Sequence, residues 1–98
     1  MKIIWTQEAL TRLKEIQDYI GQNNPGRAKA FINILVEKTK ILSSNPEIGR
    51  IVPETAHSDI REIIHKNYRI VYRRGKNHIE ILTVFEGHKL FRADELKN

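Results

Sequence analysis

The sequence predicts an α+β fold in the order β-α-α-β-β-β, with a helical hairpin packed on a mostly antiparallel sheet. Three observations carry this. Two segments repeat apolar residues at helical spacing, Ala9-Leu13-Ile16-Ile20 and Phe31-Leu35-Leu42. Only a few polar residues and one proline separate them, which implies antiparallel helices. From Ile60 onward the chain changes to short β-branched and aromatic runs divided by turns.

The elements follow in order. Residues 2–5 (Lys-Ile-Ile-Trp) are β-prone. Thr6 is placed as an N-cap, with Glu8 in the first turn facing the positive end of the helix. Trp5 before the cap and Leu10 after it fit a hydrophobic staple. Arg12, Lys14, Glu15 and Asp18 fall off the apolar stripe, and Gly21 with Gln22-Asn23-Asn24 ends the helix. Asn24-Pro25 starts a second one, Asn as cap and Pro at the first position, where its missing N–H costs nothing. Ile34 and Ile41 widen its apolar face, and Ser43-Ser44-Asn45-Pro46 stops it. Residues 45–59 hold two prolines and a glycine with no period, and read as a long loop. Strands are expected at 60–65, 68–74 and 78–85, with turns at Lys66-Asn67 and Gly75-Lys76-Asn77. Residues 88–98 could add a short strand or helical turn.

The 98 residues suit one domain, spanning 1–98. Without cysteine there is no disulfide framework and no thiolate site. No cofactor motif or metal-ligand spacing stands out. No apolar run approaches the roughly 18 residues of a membrane span, and the opening residues do not resemble a signal peptide. A cytoplasmic protein with no membrane partner is expected. The net charge of +5 is uneven. Residues 60–98 carry nine Lys/Arg against five Asp/Glu, whereas residues 1–59 are almost balanced. A basic region of this kind suits an anionic partner, or simply a solvated surface.

The stretch 61–74, REIIHKNYRIVYRR, concentrates the question. Side chains alternate across a strand. Tyr68, Ile70 and Tyr72 would pack under the helices, leaving Arg69, Val71 and Arg73 on an open face. A suitable register would bring Arg61 near Arg69 or Arg73. Like charges so placed repel by roughly 0.2–1 kcal/mol. Either Glu62 and Glu80 pair them, or a ligand does.

The segments IIWTQEALTRLKEIQDYI, NPEIGRIVPE, IREIIHKNYRIVYR and IEILTVFEGHKLF together resemble the RelE/ParE superfamily of type II toxin–antitoxin toxins. The resemblance covers nearly the whole chain and keeps the order of elements. It implies one of two activities. ParE-like members inhibit DNA gyrase. RelE-like members are ribosome-dependent mRNA endoribonucleases. The long helical pair, the loop NPEIGR and the Arg-Glu start of the strand look ParE-like. No Tyr follows Tyr72, and Phe91 is the aromatic near the end, which weakens a RelE-like mechanism.

For RNA cleavage, Arg61, Arg69, Arg73 and Lys89 would supply charge, and Glu86 or His88 would exchange protons. For target or antitoxin binding, the expected residues are Arg61, Arg69, Arg73, His88 and Lys89. Either activity implies a cognate antitoxin, acidic and partly disordered, that folds as it binds. The target is DNA gyrase, or the ribosome with its mRNA. Operator recognition is left to the antitoxin, since no helix-turn-helix signature occurs. A non-toxic basic binding module with the same fold is the third reading.

Overall fold

A computed structural model describes residues 1–87. The expected order is found, with one addition. β1 (Lys2–Trp5) is followed by α1 (Gln7–Gly21), α2 (Pro25–Lys40) and a single 3-10 turn (Ile41–Ser43). Then come β2 (Arg50–Ile51), β3 (Ile60–His65), β4 (Tyr68–Arg74) and β5 (His78–Glu86). The two-residue β2 falls inside the stretch expected to be wholly irregular. The possible last element beyond residue 87 lies outside the described residues.

Both helix starts are capped as their sequences require. Thr6 Oγ1 accepts from the Ala9 amide at 3.1 Å and donates to Ile81 O at 2.8 Å, so one hydroxyl begins α1 and fastens it to β5. Asn24 Oδ1 accepts from the Arg27 amide at 3.0 Å, with Pro25 opening α2. Trp5 packs against the core, while Leu10, its expected staple partner, remains 47% exposed.

The five strands run β1-β5-β4-β3-β2 across the sheet. β1 pairs with β5 in parallel, and the other neighbours are antiparallel. The β3–β4 hairpin turns on Lys66, whose φ of 54° lies in the left-handed region. A register shift between Val71 and Tyr72 puts a bulge opposite them in β5. The bulge accounts for the spacing of Ile79, Ile81 and Val84, all of which enter the helix-side core.

That core holds Ala9, Leu13 and Leu35 from the helices, Leu42 from the 3-10 turn, and Tyr68, Ile70 and Tyr72 from β4. The alternation read from β4 is therefore correct for the helix side. The opposite face is not open as expected. Val52, Ile60, Val71 and Leu82 form a second small core there, with Phe85 packed against it. Five consecutive residues of β4, Tyr68 to Tyr72, are buried. A strand covered on both faces loses its polar side, and the chain between β2 and β3 supplies the cover through Val52.

The preceding residues are held from the other side. Tyr72 is fully buried, its hydroxyl accepting from the Gly49 amide at 3.0 Å and donating to Pro46 O at 2.9 Å. A Cβ at Gly49 would lie 2.6 Å from the Glu62 carbonyl oxygen and 2.7 Å from that hydroxyl. Only glycine allows the loop to come so close. Replacing Tyr72 by Phe leaves a buried donor and acceptor unmatched and should cost about 1–3 kcal/mol in urea unfolding. Gly49→Ala should lower the urea midpoint further, because the loop must lift from β3.

Candidate functional site

The three candidate arginines do not form one guanidinium surface. In the register of β3 on β4, Arg61 lies opposite Tyr72 and Ile60 opposite Arg73, which puts Arg61 on the helix-side face. Its Nη1 donates to Gly49 O at 2.9 Å and tethers the 45–49 loop. Arg69 and Arg73 are on the other face. The expected approach of Arg61 to either is thus corrected: a one-residue difference in pairing parity sends it through the sheet.

Arg69 is buried beneath the loop. Its Nη1 and Nη2 each lie 2.9 Å from a different oxygen of Glu54, a bidentate pair. Its Nε donates to Glu62 Oε1 at 2.5 Å, and the guanidinium lies 5.1 Å from the centroid of the Phe85 ring. The Glu62 side chain is fully buried, and its second oxygen accepts from Arg50 Nε at 2.5 Å. The result is a chain of alternating charge, Arg50–Glu62–Arg69–Glu54, that pins the loop to β3 and β4. The bond from Glu54 raises the Arg69 pKa further, and the bond from Arg69 lowers that of Glu54. Pairing by Glu62, one of the two alternatives open in the sequence, is realised here. Glu54 was not anticipated because nothing local marks it.

Arg73 lies near Asp59 at 3.8 Å and Glu80 at 4.0 Å. Glu86 is at the other end of the sheet, opposite Tyr68, with the Asn67 amide 3.4 Å from its carboxylate. Arg73 is five residue steps along β4 from Tyr68, on the order of 17 Å. Arg73 and Glu86 therefore cannot share one phosphate. His88 and Lys89 lie outside the described residues. Among the described residues, no group of three His, Cys, Asp or Glu could hold a metal ion.

His65 closes the helix side of the β3–β4 hairpin. Its ring is 5.7 Å from Phe31, which in turn stands 5.3 Å from Tyr68. Its Nε2 is buried with no hydrogen-bond partner among the described residues. Burial, and then Lys38 and Lys66, hold its pKa below the ordinary histidine value.

Beside this cluster runs a feature that the sequence reading did not identify. A groove of about 760 Å³ lies between α2 and the β2–β3 edge, lined by Ile34, Ile41, Ile48, Ile63 and Ile64, with Glu37, Lys38 and Arg50 also at its wall. Ile34 and Ile41, expected to widen the buried face of α2, are 45% and 47% exposed. Their spacing of seven was the available signal, since it marks a second stripe beside Phe31, Leu35 and Leu42. Ile48, Ile51 and Ile64 are each about half exposed nearby in sequence or sheet register.

Residues 3–91 match the family model described as the ParE toxin of the type II toxin–antitoxin system, parDE. The chain belongs to the ParE toxin family. Within the RelE/ParE superfamily it is similar to Y4kP of Sinorhizobium fredii, a putative toxin by its own description, 34% identical over 90 residues and 90% of both chains. Toxin RelE2 of Caulobacter vibrioides is 35% identical over 63 residues, which is 64% of this chain and 67% of that one. A solved structure of a chromosomal ParDE TA system from P. aeruginosa has a TM-score of 0.71 at 24% identity, covering 88% of this chain and 95% of that one. The fold of two helices on a five-stranded sheet is thus that of its family.

Two measurements test the charge chain and the orphan imidazole. Arg69→Ala leaves the Glu62 carboxylate buried with half its pairing, and should cost about 3–5 kcal/mol by denaturant unfolding. The apolar pair Arg69→Met with Glu62→Leu should lose less than the two single changes added together. His65 has a folded-state pKa below its unfolded value, so its contribution to stability is complete above about pH 6.5. That contribution is lost as pH falls through the lower folded-state value. Thermal melts of His65→Leu should therefore fall less steeply than wild type from pH 6.5 towards the acid side.

Proposed function

We propose that this ParE-family toxin acts by binding a protein target, DNA gyrase, and is neutralised by an acidic antitoxin segment seated in the α2–β3 groove. One observation carries the preference over RNA cleavage. Arg69, the most central cation of the candidate set, is enclosed by Glu62, Glu54 and Phe85 under the loop. A transition-state phosphate needs cations already aimed at it and not otherwise committed. Recruiting Arg69 would require breaking a buried ion pair, which costs several kcal/mol.

The groove supports the antitoxin reading on separate grounds. Its aliphatic floor suits the apolar stripe of an amphipathic helix. Lys38 at its wall suits a carboxylate on the same segment, which would speed association and fix its direction. The similar P. aeruginosa structure is that of a ParDE system, which agrees with such a partner. In this reading Arg73, His88 and Lys89 remain candidates for contact with the target. The cytoplasm, where gyrase and the antitoxin would be met, is the proposed compartment. No helix among the described residues is long and apolar enough to cross a membrane.

Similarity to toxin RelE2 gives the ribosome-dependent endoribonuclease as the second reading. Purified protein in a gyrase supercoiling assay should inhibit the enzyme and leave transcripts intact in a translating extract. Cleaved transcripts with normal supercoiling would reverse the assignment. Ile41→Asp puts a charge into the groove at a half-exposed position, so the fold should survive. Binding of the co-expressed antitoxin, followed by calorimetry, should weaken by at least about tenfold, the loss typical of an apolar anchor.

A further inference from the structure

The β4–β5 hairpin tip is rich in cations, and Arg74 and Lys76 among them lie outside the proposed groove. Residues 73–78 read Arg-Arg-Gly-Lys-Asn-His, and the parallel pairing of β1 sets Lys2 beside His78. Along α1 the cations are matched, Arg12 by Glu8 and Glu15, and Lys14 by Asp18. At the tip, Arg74, Lys76 and Lys2 are all exposed, and none has a carboxylate within ion-pairing distance among the described residues. Arg73 lies beside them, flanked by Asp59 and Glu80.

The tip is also preorganised. The Gly75 amide donates to His78 O at 2.9 Å and closes the turn. A Cβ at Gly75 would lie 2.9 Å from His78 Cε1, so the imidazole is laid across the turn and keeps it narrow. Alternation sends Arg73 to the outer face and Arg74 to the helix-side face, with Lys76 between them at the end of the hairpin. The cations thus surround a thin projection instead of lining a flat wall.

We propose that this tip, with Lys2, is a contact surface for the phosphodiester backbone of duplex DNA. Exposed Lys and Arg on a narrow projection bind phosphates without reading sequence. Single-stranded nucleic acid is a poorer fit, because its binding relies on aromatic platforms for unstacked bases. No Phe, Tyr or Trp occurs in residues 73–78, and the one ring present, that of His78, lies close beside Gly75. The sheet order puts this corner at the β1–β5 side, away from the β2–β3 edge that holds the groove. A segment in the groove need not cross it. The proposal does not rest on which target the toxin inhibits.

The test is fluorescence anisotropy of the purified full chain with a labelled mixed-sequence duplex of about 20 base pairs, between 50 and 200 mM salt. Three to four phosphate contacts predict a slope of log K against log salt of about −3. Arg74→Ala with Lys76→Ala should weaken binding about tenfold at the lowest salt and flatten the slope by about two. Arg27→Ala with Lys29→Ala removes the same charge from α2 and should change neither by as much. Thermal melts matched to wild type establish that the variants fold, and Lys76→Glu, at an exposed turn position, is the second variant. Equal loss in the α2 variant, wild-type binding in the tip variants, or tighter binding of a single strand of the same length would each overturn the proposal.

Discussion

A guanidinium sealed between two carboxylates governs the outer half of this molecule. Arg69 cannot be buried alone, because an unpaired charge in a protein interior costs several kcal/mol. Glu62 meets one edge of it from β3, and Glu54 meets the other from the loop. Satisfying both edges fixes where the loop lies. Once it lies there, Val52 is inserted against Ile60, Val71 and Leu82, and a face that could have met solvent is closed. The second core and the ion pairs are therefore one device, each part requiring the other.

The two sides of the sheet have different relations to solvent. Helices α1 and α2 cover the middle of one side, where the main core is dense and apolar. They stop short of the β2–β3 edge, and there a row of isoleucines is left half-exposed. Scattered apolar residues on a surface mean little, but a continuous groove rimmed by charge is a recognised mark of a binding site. The uncovered edge is therefore the part of the helix side open to a partner.

Local rules made much of the fold legible. Thr6 and Asn24 act as caps because short polar side chains satisfy free amides at a helix start. Tyr68, Ile70 and Tyr72 face the helices because strand side chains alternate. What the sequence did not reveal depends on pairing across distance. Whether Arg61 joins Arg69 is decided by parity between β3 and β4, and a shift of one residue reverses the answer. Glu54 reaches Arg69 across 15 residues of sequence through a loop without period. The gathering of Arg61, Arg69, Arg73 and Glu86 into one site failed for the same reason, since strand length separates groups that residue type alone puts together.

The parallel pairing of β1 with β5 bears on how the chain is made. Residues 2–5 are synthesised well before their sheet neighbours, residues 78–81. Until that late segment emerges, the first strand has no ladder to join, and Thr6 lacks the carbonyls of Ile81 and Leu82 that its hydroxyl engages. Contacts of such long sequence separation are slow to form. The helical hairpin can assemble early, but β1 joins the sheet only once β5 is present. β1 and the Thr6 hydroxyl are thus fastened only after β5 has been made.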